Sequence, residues 1–210
     1  MSANSIERQG VYGKLHLKEK IGYGMGDAGS CMIWSVLALY LTWFYTDVYG
    51  LAPGVVGTLF LVIRIFDAFS DPVMGAICDR TRSRWGKFRP WLLWMALPFG
   101  LGAVLMFTTP DLSMNGKIVY AWVTYLVMSL IYTAINIPYC SVAGVITLNQ
   151  KERLGCLSWR FFLNGLATLI VSSSILPLTD WLGNGNRAAG FQLTMVIMGG
   201  AATLMFFFCF

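Results

Sequence analysis

The chain has 210 residues, of which 57% are hydrophobic and only 12% are charged. Soluble globular proteins carry about 25% charged residues, and disordered chains are poor in apolar ones. The composition therefore excludes both classes and indicates an integral membrane protein. The net charge of +5 does not indicate nucleic-acid binding, because the basic residues lie in short blocks between apolar runs.

The sequence offers little material for metal, redox or histidine chemistry. Its single histidine, His16, lies in a polar N-terminal stretch, and its five cysteines lack the spacing of metal ligands. The cysteines lie in or beside apolar segments, where they act as small packing residues. We therefore predict that the protein has no cofactor and is not an enzyme.

Six apolar segments each reach the roughly 20 residues that a helix needs to cross a bilayer. They are long continuous runs and not the short alternating segments of a membrane barrel. We therefore predict an all-α transmembrane fold with a polar segment at 1–20 and a six-helix bundle at 21–210. The predicted spans are 21–46, 53–77, 91–109, 117–146, 159–180 and 189–210.

Basic residues predict the orientation of the bundle, because cytoplasmic loops are enriched in Lys and Arg. Twelve of them lie in the N-terminal segment, in the loop after the second span and around the start of the fifth span, whereas the opposite side holds Lys117 and Arg187. The N-terminus is therefore predicted to be cytoplasmic. The apolar ending at 205–210 predicts a piece of a longer protein, with self-association of the chain as the alternative.

Gly24, Gly26 and Gly29 match the dinucleotide-binding pattern G-x-G-x-x-G. That chemistry requires a preceding strand and a helix N-terminus that faces a pyrophosphate, whereas this pattern opens an apolar span. We interpret it as close helix packing, because Gly22 and Gly26 have the four-residue spacing that lets helix backbones approach in lipid.

Three charged residues in the second span are the strongest functional signal in the sequence. Arg64, Asp67 and Asp71 are spaced by three and four residues, which places them on one helical face. Each costs about 2.5–3.5 kcal/mol in a bilayer, so they should face protein or a water-filled cavity. With Ser70, the aspartates form a cluster of oxygens that suits Na⁺ or a shared proton. The alternative is an Arg64–Asp67 ion pair that only packs helices, and it leaves Asp71 unexplained.

Polar residues in three other spans predict a polar cavity inside the bundle. Interhelical hydrogen bonding would explain each group alone, but together with the second span they indicate the binding site of a polar solute. They are Asp27, Ser30, Cys31 and Trp34 in the first span, Thr133, Asn136 and Cys140 in the fourth, and Arg160 and Asn164 in the fifth.

The loop after the second span joins a glycine and an aspartate to a run of basic residues. A patch that only binds anionic lipid would not need those two residues at fixed offsets. The aspartate can pair with the arginines or with the N-terminus of a neighbouring helix, so we predict a latch that a conformational change can break. The candidate latch residues are Gly75, Asp79, Arg80, Arg84 and Lys87.

Several strings resemble the glycoside–pentoside–hexuronide:cation symporters, the melibiose-permease-like branch of the major facilitator superfamily. They lie at 44–50, 57–62, 67–72, 81–91, 136–139 and 159–162. The family has twelve spans in two halves, so the resemblance implies that this chain is the N-terminal half and that a C-terminal half is its partner. It also implies a multi-pass protein of the bacterial inner membrane, surrounded by lipid, that couples Na⁺ or H⁺ to the transport of a sugar, glycoside or oligosaccharide.

The resemblance implies roles for four residues at the cation site. The two aspartates of the family correspond to Asp67 and Asp71, which would hold Na⁺ if Na⁺ is the coupling ion, and the helper residues correspond to Ser70 and Thr133. Melibiose permease has asparagine where this chain has Ser70, so Na⁺ and H⁺ both remain open as the coupling ion.

The resemblance also implies sugar-binding positions at Cys31, Asn136, Cys140 and Arg160. Only Arg160 keeps the residue type of melibiose permease, so a different sugar is expected, and Asp27 is expected to take over part of the binding. A lipid-facing Arg160 is the alternative for that residue. For the whole chain, the alternatives are a transporter of lysolipid or another amphiphile, and a membrane subunit that only packs with partners, against which the intramembrane aspartates argue.

Overall fold

A computed structural model describes residues 15–145, 147 and 149–209 of the chain, so most of the segment predicted at 1–20 lies outside it. No strand occurs in the described residues, and the predicted all-α fold of six helices is confirmed. The helices are α1 (Leu17–Val36), α2 (Pro53–Arg80), α3 (Arg89–Met106), α4 (Met114–Val145), α5 (Gln150–Gly183) and α6 (Arg187–Cys209).

Within the described residues, the five helices α2 to α6 are long and apolar enough to cross a membrane. Helix α1 differs because its α-helical part ends at Val36 and carries four charged residues. It continues through two π-helical segments, Leu37–Leu41 and Phe44–Val48, in an unbroken run of helix. The predicted first span at 21–46 is therefore one long but irregular helix.

Several helices extend beyond the predicted spans. Helix α5 begins at Gln150, well before the predicted position 159, because the Asn149 side chain accepts a hydrogen bond from the backbone nitrogen of Lys151 and caps the helix. It ends before Asn184, which has a positive φ of 43°. The sequence-based boundaries follow hydrophobicity, whereas a helix continues past the hydrocarbon as long as its backbone is satisfied.

Helix α1 packs against α5 and α6, which also pack against each other, while α3 packs against α4 and α6, and α2 against α4. Ile33 of α1, Phe99 of α3 and Phe206 of α6 are fully buried at the centre. The Phe99 ring meets the Phe206 ring edge-on, with centroids 5.7 Å apart. By contrast, α2 and α5 leave apolar surface uncovered, as shown by Phe69 at 71% and Leu169 at 68% exposure.

The three glycines of the G-x-G-x-x-G pattern bring α1 close to its neighbouring helices. A Cβ atom at Gly24 would lie within 3.3 Å of α5, one at Gly26 within 3.3 Å of both α4 and α6, and one at Gly29 within 3.3 Å of α6. Side chains do not fit at such distances, so the packing interpretation of Gly26 is confirmed. The expected contact at Gly22 is looser, because its nearest neighbouring atom lies 4.0 Å from a Cβ at that position.

Helices α3 and α6 also meet through glycines. A Cβ atom on Gly100 or Gly199 would lie 2.9 Å from the carbonyl oxygen of the other residue. The Thr203 hydroxyl of α6 donates a hydrogen bond to the carbonyl of Ala96 in α3 at 3.1 Å. The two backbones are thus in direct contact. At Gly199 the three nearest atoms all belong to the backbone of Gly100, so no flexible side chain can yield to a methyl group added there.

We expect Gly199→Ala to destabilise the bundle by about 1–3 kcal/mol, which is the usual cost of overpacking. The matched control is Gly200→Ala, because a Cβ atom there meets no atom within 4 Å, and alanine favours helix by about 1 kcal/mol over glycine. Thermal unfolding in detergent, followed by tryptophan fluorescence, measures both variants. Equal unfolding midpoints would show that the α3–α6 contact is loose.

Candidate cation and substrate sites

The two aspartates of α2 face hydroxyl groups of α4. The Thr133 hydroxyl donates a hydrogen bond to Oδ1 of Asp71 at 2.9 Å, and the Ser129 hydroxyl donates to Oδ1 of Asp67. Ser129 and Thr133 are 4% and 5% exposed, so these bonds lie inside the bundle. Of the four predicted cation-site residues, the structure brings Asp71 and Thr133 into direct contact, and it adds Ser129 beside Asp67.

Ser70 lies between the two aspartates along α2, but its hydroxyl is used within its own helix. It donates a hydrogen bond to the backbone carbonyl oxygen of Asp67 at 3.3 Å. This is the local bond that serine commonly forms inside helices. Ser70 is therefore next to the carboxylates without being bonded to either of them.

Arg64 makes a weak ion pair with Asp67. Its Nη1 atom lies 4.0 Å from Oδ2 of Asp67, and the arginine side chain is 66% exposed. An exposed pair at that distance contributes little stability, so it does not explain why two aspartates occupy α2. The Arg64 guanidinium also lies 5.8 Å from the centre of the Trp34 indole, which stacks on Tyr132 of α4 at 4.5 Å.

A second polar cluster joins α1 to α5 around Asp27. Arg160 donates from Nη2 to one carboxylate oxygen of Asp27 at 3.0 Å, and Asn164 donates from Nδ2 to the other at 2.7 Å. The side chains of Asp27 and Arg160 are 10% and 19% exposed. Both carboxylate oxygens are thus satisfied, and Arg160 points into the bundle and not toward lipid.

Cys31 belongs to the same α1–α5 cluster. Its Sγ atom lies 3.0 Å from Oδ1 of Asn164 and 3.1 Å from Oγ1 of Thr168. Asn164 therefore bridges Asp27 and Cys31, which are one helical turn apart on α1. Of the predicted substrate-site residues, the structure brings Asp27, Cys31 and Arg160 together in one network.

The two predicted α4 positions lie beside this cluster. Cys140 contacts Oδ1 of Asn136 through its sulfur at 3.6 Å, one turn away on α4. Both residues are at least partly exposed. Tyr139, between them in sequence, lies under the Arg160 guanidinium, with 5.2 Å from the guanidinium carbon to the ring centre. The α4 positions thus approach the α1–α5 cluster through Tyr139.

The predicted latch residues lie at the end of α2 and in the loop that follows. Asp79 is exposed and makes no ion pair within the part of the chain that the structure describes. The Arg84 guanidinium lies 4.6 Å from the Trp85 ring centre. The Gly75 position is open, with no atom within 4 Å of a Cβ atom there. The latch therefore stays a prediction.

Sequence reasoning missed the part played by Ser129. The signal was available, because Ser129 precedes Thr133 by four residues, the same spacing that separates Asp67 from Asp71.

Among the described residues there is no group of three or more His, Cys, Asp or Glu side chains that could hold a metal ion. A cation at the two aspartates would therefore need neutral oxygens, from hydroxyls, carbonyls or water, as its other ligands.

Ion pairs and hydrogen-bonded carboxylates inside a bundle of membrane-crossing helices are typical of membrane transport proteins. The sequence matches the MFS/sugar transport protein family over residues 22–210, and the chain belongs to that family. This membership confirms the family resemblance and the prediction that the chain is not an enzyme.

Curated relatives have names that agree with this assignment. The chain is 51% identical over 196 residues to the inner membrane symporter YicJ of Escherichia coli, which covers 93% of this chain and 43% of that protein. It is 48% identical over 197 residues to the putative glycoside/cation symporter YagG of Escherichia coli, covering 94% of this chain and 43% of that protein. It is 40% identical over 194 residues to the isoprimeverose transporter of Lactiplantibacillus pentosus, covering 91% of this chain and 40% of that protein. The chain thus spans less than half the length of these relatives.

We expect Arg160→Lys to weaken glycoside binding about tenfold, or about 1.4 kcal/mol. Lysine keeps the charge but loses the planar fork of donors that lets Arg160 hold Asp27 with one nitrogen while the others remain for a ligand. The control is Arg153→Lys, an exposed position on the same helix. Binding is measured as protection of Cys31 from a thiol reagent by the glycoside. Unchanged affinity in Arg160→Lys would remove Arg160 from the substrate site.

Proposed function

We propose that this chain is the N-terminal half of a symporter that couples a monovalent cation, Na⁺ or H⁺, to the transport of a sugar or glycoside across the bacterial inner membrane. The observation that carries the proposal is the pair of α2 aspartates, each bonded to a hydroxyl of α4 within the membrane-crossing part of the bundle. Two relatives of this transport family are named as a symporter and a putative glycoside/cation symporter.

Charge balance supports a monovalent cation at this site. Asp67 and Asp71 carry two negative charges, and Arg64 on the same face supplies one positive charge. The sum is one negative charge in a region where an uncompensated charge costs several kcal/mol. One Na⁺ or one proton would bring the sum to zero, so the site is best satisfied when it is loaded.

The substrate is assigned to the α1–α5 cluster around Asp27 and Arg160. This cluster presents amide, guanidinium and carboxylate groups, which are the usual partners of sugar hydroxyls. Helix α4 joins it to the cation site, because Thr133 bonds to Asp71 while the adjacent Tyr132 stacks on Trp34 of α1. Cation occupancy would thereby influence the helix that carries Asp27. The names of the relatives favour a glycoside over a lysolipid as the substrate.

We further propose that a C-terminal six-helix half completes the transporter and that the N-terminus is cytoplasmic. The greater length of the relatives supports a second half. The distribution of Lys and Arg supports the orientation. In this family of folds the solute lies between two halves that rock around it.

The coupling role is tested by Asp67→Asn and Asp71→Asn in the transporter assembled from this chain and a co-expressed C-terminal half. Each substitution removes a negative charge without changing side-chain size, so it should abolish accumulation of the glycoside against its gradient. Exchange of internal for external glycoside should persist, because it requires binding but no net cation movement. Asp180→Asn, at an exposed position near the end of α5, is the matched control. Uphill accumulation in both variants would refute the assignment.

The need for a second half is tested with the isolated chain. We expect no uptake into proteoliposomes that contain the 210-residue chain alone, because its polar faces would meet lipid without a partner. Co-expression with a C-terminal half should restore uptake. Saturable, ion-dependent uptake by the chain alone would show that it is a complete transporter.

A further inference from the structure

The hydrogen bonds between α2 and α4 form two matched pairs. Asp67 and Asp71 are four residues apart, and so are Ser129 and Thr133, so the pairs lie one helical turn apart along the contact of the two helices. Each carboxylate uses its Oδ1 atom to accept one hydroxyl hydrogen. Two carboxylates and two hydroxyls therefore converge on one stretch of the α2–α4 contact.

Burial distinguishes Ser129 from Ser70 as a source of oxygen for this cluster. Ser129 is 4% exposed and bonds directly to the Asp67 carboxylate. Ser70 is half-buried and bonds to the backbone carbonyl of Asp67 in its own helix. The hydroxyl on α4 is thus a fixed neighbour of the carboxylate, whereas the hydroxyl on α2 is committed elsewhere.

We propose that Ser129, and not Ser70, supplies the neutral oxygen that completes the cation site around Asp67, and that this site accepts an alkali cation such as Na⁺ in addition to a proton. The inference rests on the proposed function, which assigns the coupling cation to the two aspartates. It deepens that function by naming the class of cation and the residue that admits it.

The chemistry of a hydroxyl explains the assignment. A hydroxyl has one hydrogen and two lone pairs. While the Ser129 hydrogen is donated to Asp67, its lone pairs remain available to a cation that lies against the same carboxylate oxygen. A hard cation requires several oxygen ligands around it, whereas a proton requires one carboxylate oxygen. Loss of the Ser129 hydroxyl should therefore weaken alkali binding far more than proton binding.

The test compares Ser129→Ala, Ser129→Thr and Ser70→Ala in the transporter assembled from this chain and a co-expressed C-terminal half. Glycoside uptake is measured as a function of NaCl, with choline chloride keeping the ionic strength constant. Ser129→Ala should raise the half-saturating Na⁺ concentration about tenfold or more, which corresponds to about 1.4 kcal/mol. Ser129→Thr keeps the α4 hydroxyl, and Ser70→Ala removes a hydroxyl that bonds to the backbone of its own helix. Both should therefore change the half-saturating Na⁺ concentration by no more than about twofold.

A second measurement separates ligation from packing. Na⁺ should raise the unfolding temperature of the unsubstituted protein, because a ligand that binds the folded state stabilises it. Ser129→Ala and the nearly isosteric Ser129→Cys should lose this Na⁺-dependent rise while keeping uptake driven by a proton gradient. A purely structural Ser129 would instead lower the unfolding temperature equally with and without Na⁺, and that result would overturn the proposal.

The outcomes also separate this inference from the function on which it rests. The inference fails if glycoside uptake by the unsubstituted transporter does not respond to Na⁺ or Li⁺. It also fails if Ser70→Ala raises the half-saturating Na⁺ concentration and Ser129→Ala does not. In either case cation coupling itself would stand as long as Asp67→Asn and Asp71→Asn abolish uphill transport. Uphill transport by both aspartate variants would remove the proposed function and the inference together.

Discussion

The low dielectric of the bilayer makes a charged side chain at membrane depth costly unless it has a partner inside the protein. The contacts between α1 and α5 and between α2 and α4 follow from how these partners are shared. Asp27 receives donors from Arg160 and Asn164 and so holds α1 against α5. Such short bonds require the backbones to lie close together. Gly24, beside Asp27 on α1, permits that approach, because a Cβ atom there would collide with α5. The glycine pattern thus provides the close α1–α5 packing that the hydrogen bonds to the buried Asp27 require.

Helix α4 has a different role, because it serves both polar clusters although its one charged residue, Lys117, lies in its first turn. Two of its hydroxyls satisfy the aspartates of α2, and the Tyr132 ring stacks on α1. Hydroxyl donors stabilise a carboxylate without cancelling its charge, so they leave the negative potential of the site intact. An arginine or lysine in place of either hydroxyl would neutralise that potential and remove the reason for a cation to enter.

Hydrophobic runs and charge spacing were sufficient to predict the six helices and the shared face of Arg64, Asp67 and Asp71. They could not predict the π-helical continuation of α1, because its hydrogen-bond shift leaves no mark on hydrophobicity. Ser129 was missed because a single serine in an apolar helix usually bonds to its own backbone, and its four-residue spacing from Thr133 becomes informative only once α2 is known to lie beside α4. The bond between Cys31 and Asn164 joins residues 133 positions apart, so it depends on how α1 and α5 pack and not on any local pattern.

The helices also differ greatly in length. At 1.5 Å per residue, the 34 residues of α5 extend about 51 Å, whereas the 18 residues of α3 extend about 27 Å. A typical hydrocarbon core is about 30 Å thick, so α5 can tilt or project into water, but α3 has no length to spare. In a membrane with a thicker hydrocarbon core, the lipid around α3 must therefore become locally thinner, or the polar ends of α3 must enter the hydrocarbon. Because α3 touches α6 through bare backbone, the two helices would shift together, and the thickness of the membrane would set the depth at which this side of the bundle rests.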